Sequence, residues 1–194
     1  PDPETGIGRY TLDQFRAALY DGIRADGAHL YPAMPYENYR KLKEEDVRAL
    51  YHYFTEEVAP VRHQGPETSL PFPFNQRWGI RAWNWVALEP PGFRPHAEDP
   101  QIARGAYLVE GPGHCGACHT PRNLLMAQDG TDASSESFLR GGEVDGWTAP
   151  DLRGAKSPVA LWSAEQLKML FASGRSAHAA VTGEMSLVVE ESTQ

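Results

Sequence analysis

The sequence predicts an all-α protein in which short helices are joined by long loops. Three observations carry that prediction. Four stretches have helical spacing with capping residues at their ends. Glycine (18) and proline (16) are so frequent among 194 residues that much of the chain must be loop. The 2 cysteines lie three positions apart in one motif. A chain this rich in loops, with 41% apolar residues, needs something besides its own side chains to organise a core.

Taken in order, Tyr10–Gly22 offers an aromatic residue, a Thr11 N-cap, Asp13 in the first turn, an amphipathic run and a closing glycine. Lys43–Phe54 starts with acids that suit a helix N-terminus and carries Val47, Leu50 and Phe54 on one stripe. Residues 59–98 differ in character. They are proline-rich and hold Phe72, Phe74, Trp78, Trp83 and Trp85. Exposing three tryptophans wastes apolar area, so this stretch is expected to be an ordered connector, packed on a neighbouring module or a partner subunit. A membrane-surface contact through Trp83 and Trp85 ranks below burial. Gln101–Val109 reads as a helix with Gly105 as a contact point for another helix. Ser163–Gly174 reads as another, with Leu167, Leu170 and Phe171 inward and Met169 filling the core.

Composition excludes several classes. The proportions are neither collagen-like nor those of a disordered chain. A formal charge of −8 argues against a nucleic-acid partner, which would require a basic stripe. No window approaches the ~18 apolar residues of a membrane span.

The cysteines sit in Cys115-Gly116-Ala117-Cys118-His119. A thioredoxin-like dithiol needs no histidine directly behind the pair, and a structural zinc site needs a second pair that this chain does not have. C-x-x-C-H is the attachment pattern of c-type haem. Two thiols form thioethers with the vinyl groups, and the next residue places an imidazole under the iron. Small residues between the cysteines let the porphyrin edge approach the backbone.

A haem iron that carries electrons commonly takes a methionine as its second axial ligand, which raises its potential. Met126 lies seven residues after His119, too close to reach the opposite face. Met185 lies 66 residues beyond His119, far enough for the chain to pass around the haem edge. Met185 is therefore the expected ligand, and His178 is its main rival. Arg122 and Trp147 are candidates to hydrogen-bond haem propionates; a surface arginine and a packing tryptophan are the alternatives.

An internal repeat supports this reading. Offset by 152, Tyr10–Gly22 aligns with Trp162–Gly174, and with one residue of slippage Met34 falls against Met185. Residues 1–58 then read as the C-terminal half of a first haem module, and 99–194 as a second lacking its final helix. The chain is expected to be an excerpt of a longer polypeptide, with the first attachment motif outside it.

The stretches Pro1-Asp-Pro-Glu-Thr-Gly-Ile-Gly-Arg-Tyr-Thr, Leu30-Tyr-Pro-Ala-Met-Pro-Tyr, Arg104–Asn123 and Trp147-Thr-Ala-Pro-Asp-Leu resemble the multi-haem cytochrome c subunits of bacterial membrane-bound dehydrogenases, whose catalytic partners are quinoproteins, flavoproteins or molybdopterin proteins. The resemblance implies tandem class I cytochrome c domains on the periplasmic side of the bacterial inner membrane. It implies covalent haem c at Cys115 and Cys118, ligated by His119 and Met185. A further haem would be contacted through Met34, and a third would belong to a domain outside this segment, as would the parts that hold the membrane. Electrons would pass from a catalytic dehydrogenase subunit, haem to haem, to ubiquinone or another membrane acceptor. In that role the chain is a non-catalytic subunit of an enzyme complex. Two other readings stay open: a dihaem c-type enzyme acting directly on a substrate, of the peroxidase or thiosulfate dehydrogenase kind, and a free soluble carrier.

Overall fold

A computed structural model describes residues 1–66 and 68–193. The chain is mostly helical, with one two-stranded sheet among the described residues. None of their helices is long and apolar enough to cross a membrane. The chain divides into two compact units: residues 1–117 with Leu124–Ala127, and residues 118–123 with 128 onward.

In unit one, α1 (Leu12–Asp21) begins with the predicted cap, elaborated into a reciprocal pair. The Gln14 N–H donates to the Thr11 hydroxyl (3.2 Å), and the Thr11 N–H donates to the Gln14 side-chain carbonyl (2.9 Å). It ends at Gly22 in the left-handed region (φ 60°), where a Cβ would lie 2.5 Å from the Tyr36 ring. After α2 (Tyr36–Tyr39), α3 (Glu44–His52) runs into a π-helical turn, Tyr53–Glu57. Phe15, Leu19, Leu42 and Val47 form the core here, with Met34, Leu50 and Tyr51 packed against it. Phe54 departs from its expected stripe. It lies in the wider π turn, where the 3.6-residue register is lost, and is exposed.

The segment 59–98 contains α4 (Trp78–Ala87). Asn84 ties it to earlier residues: Tyr36 Oη donates to Asn84 Oδ1 (2.9 Å), and Asn84 Nδ2 donates to the Asp21 carbonyl (2.9 Å). Trp83 meets Tyr36 edge-on at 6.3 Å, and its indole N–H donates to the Leu125 carbonyl (2.7 Å). The aromatic cluster is nevertheless split. Trp83 is half-buried, whereas Phe72, Phe74, Trp78 and Trp85 are not covered by the described residues of this chain. One helix face can pack inward, and Trp78 and Trp85, seven residues apart, share the other.

Helix α5 (Pro100–Glu110) is capped by Asp99, which accepts the N–H groups of Gln101 and Ile102, with Pro100 at the first helical position. Gly105 makes no close helix contact, because nothing lies within 4 Å of where its Cβ would be. Tyr107 and Glu110 are the side chains this helix buries. The Glu110 carboxylate pairs with Lys41 Nζ at 3.2 Å, and Asn38 Nδ2 donates to the Glu110 carbonyl (3.0 Å). Removing the carboxylate takes an ion-pair partner from a buried ammonium. Glu110→Ala is expected to cost about 3–5 kcal/mol in a denaturant titration, while Glu110→Gln, which keeps a hydrogen-bond acceptor, should cost less.

Tyr107 donates its hydroxyl proton to the Asp46 carboxylate and accepts the Lys43 N–H (3.1 Å). Burial, reinforced by that carboxylate, pushes the phenol up to about 12. Folding thus favours the protonated phenol. Its contribution is full below the ordinary tyrosine pKa of about 10 and is lost as pH rises through about 12. A Tyr107→Phe variant should show a shallower fall in melting temperature across that window.

Unit two contains the hairpin of β1 (Gly142–Val144) and β2 (Trp147–Ala149), paired Val144 with Trp147 around Asp145 and Gly146, both left-handed (φ 50° and 79°). Helix α7 (Ala164–Ser173) follows, again with a capping box, between Ser163 and Gln166, and again closed by a left-handed glycine, Gly174 (φ 71°). The turn after each helix repeats as well. Leu30 N–H donates to the Gly22 carbonyl (2.7 Å), and Val181 N–H to that of Gly174 (2.8 Å). Arg24 N–H donates to Ala28 (2.9 Å), and Ser176 N–H to Ala179 (2.8 Å). The last helix, α8 (Glu184–Val188), runs into a second π turn at Val189–Thr193.

The two units differ in how much apolar surface they cover. Among the described residues, the fully buried apolar side chains of unit two are Phe138 and Val189. Helix α7 buries none of its residues: Leu167 and Leu170 are half-buried, but Phe171 and Met169, expected to face inward, are exposed.

Candidate cofactor site

The end of α5 delivers the first thiol. Gly113 N–H donates to the Leu108 carbonyl (2.7 Å) and Cys115 N–H to the Val109 carbonyl (3.0 Å). A Cβ on Gly113 would lie 2.6 Å from the Leu108 oxygen, so only glycine allows this tight exit. Cys115 leads into the single turn α6 (Gly116–His119), and the division between units falls inside it, after Ala117. Neither cysteine is in a disulfide. Burial pushes the Cys118 thiol up; the Arg122 charge opposes this and the Glu184 carboxylate adds to it.

His119 is held by a backbone carbonyl. Its Nδ1–H donates to the Pro150 oxygen at 2.9 Å. That bond fixes the tautomer with the proton on Nδ1 and leaves the Nε2 lone pair for a metal. The hairpin supports the same turn from behind. Gly141 N–H donates to the His119 carbonyl (2.8 Å), and a Cβ on Gly142 would lie 2.3 Å from the Cys118 oxygen.

Sixty-six residues along the chain, the Met185 segment comes back to this place. Glu184 acts on the Cys118 thiol, and Gly183 packs under Trp147, whose Cδ2 lies 2.6 Å from a Cβ built on that glycine. Met185 itself is half-buried at the second position of α8. Arg122, exposed on the surface, shares this neighbourhood through its effect on Cys118. The rival His178 is otherwise engaged: its Nε2 accepts the Gln166 side-chain amide (2.9 Å), and its ring lies against Trp162 at 5.5 Å.

The other methionines are placed differently. Met34 belongs to unit one, against the core of Phe15, Leu19, Leu42 and Val47. Met126 is exposed in a left-handed conformation (φ 62°). Residues the sequence did not single out include Pro150, Gly142 and Gly183. Pro150 acts through its carbonyl and the glycines through a missing side chain, so residue type carried little signal for any of them.

The donor set fits a covalently attached haem. Two thiols outside any disulfide lie one before and one within a turn that ends in an imidazole whose Nδ1 is engaged by a carbonyl, and Met185 follows Gly183, which packs on the same hairpin.

No family model matches the chain. It is 44% identical over 200 residues to the gluconate 2-dehydrogenase cytochrome c subunit of Pantoea cypripedii, covering 100% of the chain and 45% of that protein. It is 44% identical over 200 residues to the cytochrome c subunit of the quinone-type alcohol dehydrogenase of Gluconobacter oxydans, 100% of the chain and 42% of that protein. It is 43% identical over 197 residues to the fructose dehydrogenase cytochrome subunit of Gluconobacter japonicus, 100% of the chain and 40% of that protein. The chain thus spans less than half the length of these relatives.

Proposed function

We infer, from a chain that in sequence belongs with the cytochrome c subunits of membrane-bound dehydrogenases, that it is an electron-transfer segment holding one haem c at Cys115 and Cys118. The observation that carries this is the His119–Pro150 bond: within a C-x-x-C-H turn, the imidazole is oriented and its Nε2 reserved. A haem in this place supplies one-electron chemistry by a change of iron valence. The protein residues hold it. Cys115 and Cys118 would anchor the ring, and His119 and Met185 would be the residues that hold its iron in both valences. Arg122 and Trp147 would bind the ring's propionates.

Residues 1–58 are the back half of a first class I cytochrome c domain, 59–98 an ordered connector, and 99–194 most of a second. Support comes from the doubled capping box, left-handed glycine and return turn at α1 and α7. Met34 then serves a haem attached upstream. In the whole protein, electrons pass from a catalytic dehydrogenase subunit, oxidising alcohols, aldehydes or sugars, through several haems to ubiquinone. The setting is the periplasmic side of the inner membrane, where such haem attachment is made. The complete polypeptide, purified from membranes in mild detergent, should carry a large dehydrogenase chain with it. Adding that chain's substrate should reduce the c-type haem, and a short-chain ubiquinone should reoxidise it. A protein that purifies alone, with haem left oxidised by alcohols, aldehydes, polyols and aldonates alike, would overturn the proposal.

A further inference from the structure

We propose that the β1–β2 hairpin is a positioning device that sets both axial positions at once; this rests on His119 and Met185 being the ligands. The four residues Trp147–Pro150 touch both sides. At one end, the Pro150 carbonyl holds His119 Nδ1 at 2.9 Å. At the other, the Trp147 indole lies on Gly183, two residues before Met185; a Cβ there would meet three ring atoms at 2.6, 2.8 and 2.9 Å. Gly183 adopts φ 58° and ψ −143°, a region essentially closed to other residues, and it is the residue from which α8 starts. The indole therefore covers a backbone conformation that only glycine supplies and that aims the first turn of α8. The hairpin is itself fixed to the motif, since β1 presses Gly142 against the Cys118 carbonyl. Its tight turn at Asp145–Gly146 leaves the two strands no freedom to shift separately. A displacement of the hairpin would thus move the proximal imidazole and the distal thioether together. Trp147 is a positioning residue for Met185, whether or not it also meets a propionate.

The test uses the holoprotein and two spectroscopic readouts: the near-infrared thioether band of the ferric form, and the rate at which carbon monoxide binds the ferrous form. Carbon monoxide enters only when the thioether has left, so its rate reports the detached population. An aromatic contact of this size sets that population, and Trp147→Ala should raise the carbon monoxide rate about two- to tenfold and weaken the band. Trp147→Phe, which keeps a ring on the glycine, should stay within about twofold of the parent. Should Trp147→Ala not retain haem, Gly183→Ala serves instead. Its new methyl group must displace the indole, so it should shift both readouts the same way. Parental band intensity and carbon monoxide rate in Trp147→Ala, or in Gly183→Ala, would overturn the proposal. Met185→Ala separates the two claims. If it leaves the band unchanged, the ligand reading itself fails. If it abolishes the band while Trp147→Ala does not weaken it, only the hairpin's role fails.

Discussion

Replacing both Cys115 and Cys118 with alanine is expected to unfold unit two while unit one stays folded. Unit one is built on Phe15, Leu19, Leu42 and Val47, with Tyr36 and Tyr107 also fully buried. Unit two has Phe138 and Val189 as its buried apolar side chains among the described residues. Burying each such side chain stabilises by roughly 1.5–3 kcal/mol. Ordering each residue of backbone costs about 1–2 kcal/mol, so two side chains cannot hold a unit of this size. A porphyrin bonded to the chain would supply the missing apolar surface, and preventing its attachment would remove it. Hydrogen exchange should show the amides of α7 and α8 losing protection by about two orders of magnitude, approaching free exchange, while α1 and α3 keep theirs. Retained protection in α7 would mean that the unit folds on its own side chains.

Removing the thioether is expected to change the electron chemistry more than the fold. Met185 is half-buried and contributes little to the core, so Met185→Ala should melt within about 1–2 kcal/mol of the parent. Its reduction potential should fall by on the order of 0.1–0.2 V, because a methionine ligand raises the potential of a haem c iron. The ferrous form should bind carbon monoxide readily, and the near-infrared band should vanish. The corresponding change at Met34 should leave all three properties of this chain's own haem unaltered. A potential unmoved in Met185→Ala would hand the distal position to another residue. His178 is poorly placed to take it, with its Nε2 occupied by Gln166.

The sequence made the helix ends and the C-x-x-C-H motif legible. Thr11 and Ser163 carry their side-chain caps, and Gly22 and Gly174 their left-handed conformations, because both signals are local and chemical. The C-x-x-C-H turn was visible for the same reason. The Met185 expectation rested on chain length alone; in the structure the neighbouring Gly183 lies against Trp147 of the hairpin that holds His119. Contacts made through backbone or through missing side chains were not legible. Pro150 offers a carbonyl that every residue has, and Gly183 matters by what it lacks. Helical periodicity also misplaced Met169 and Phe171. A periodic stripe says which residues share a face, and it does not say that protein atoms cover that face.

The most direct measurement is the mass of the proteolytic peptide that carries Cys115 and Cys118, taken from protein made in a host that attaches haem in its periplasm. A covalent haem c adds the mass of one porphyrin–iron unit to that single peptide, and its colour survives extraction with acidified organic solvent. A peptide at its bare mass, or a colour that leaves with the solvent, would contradict the account.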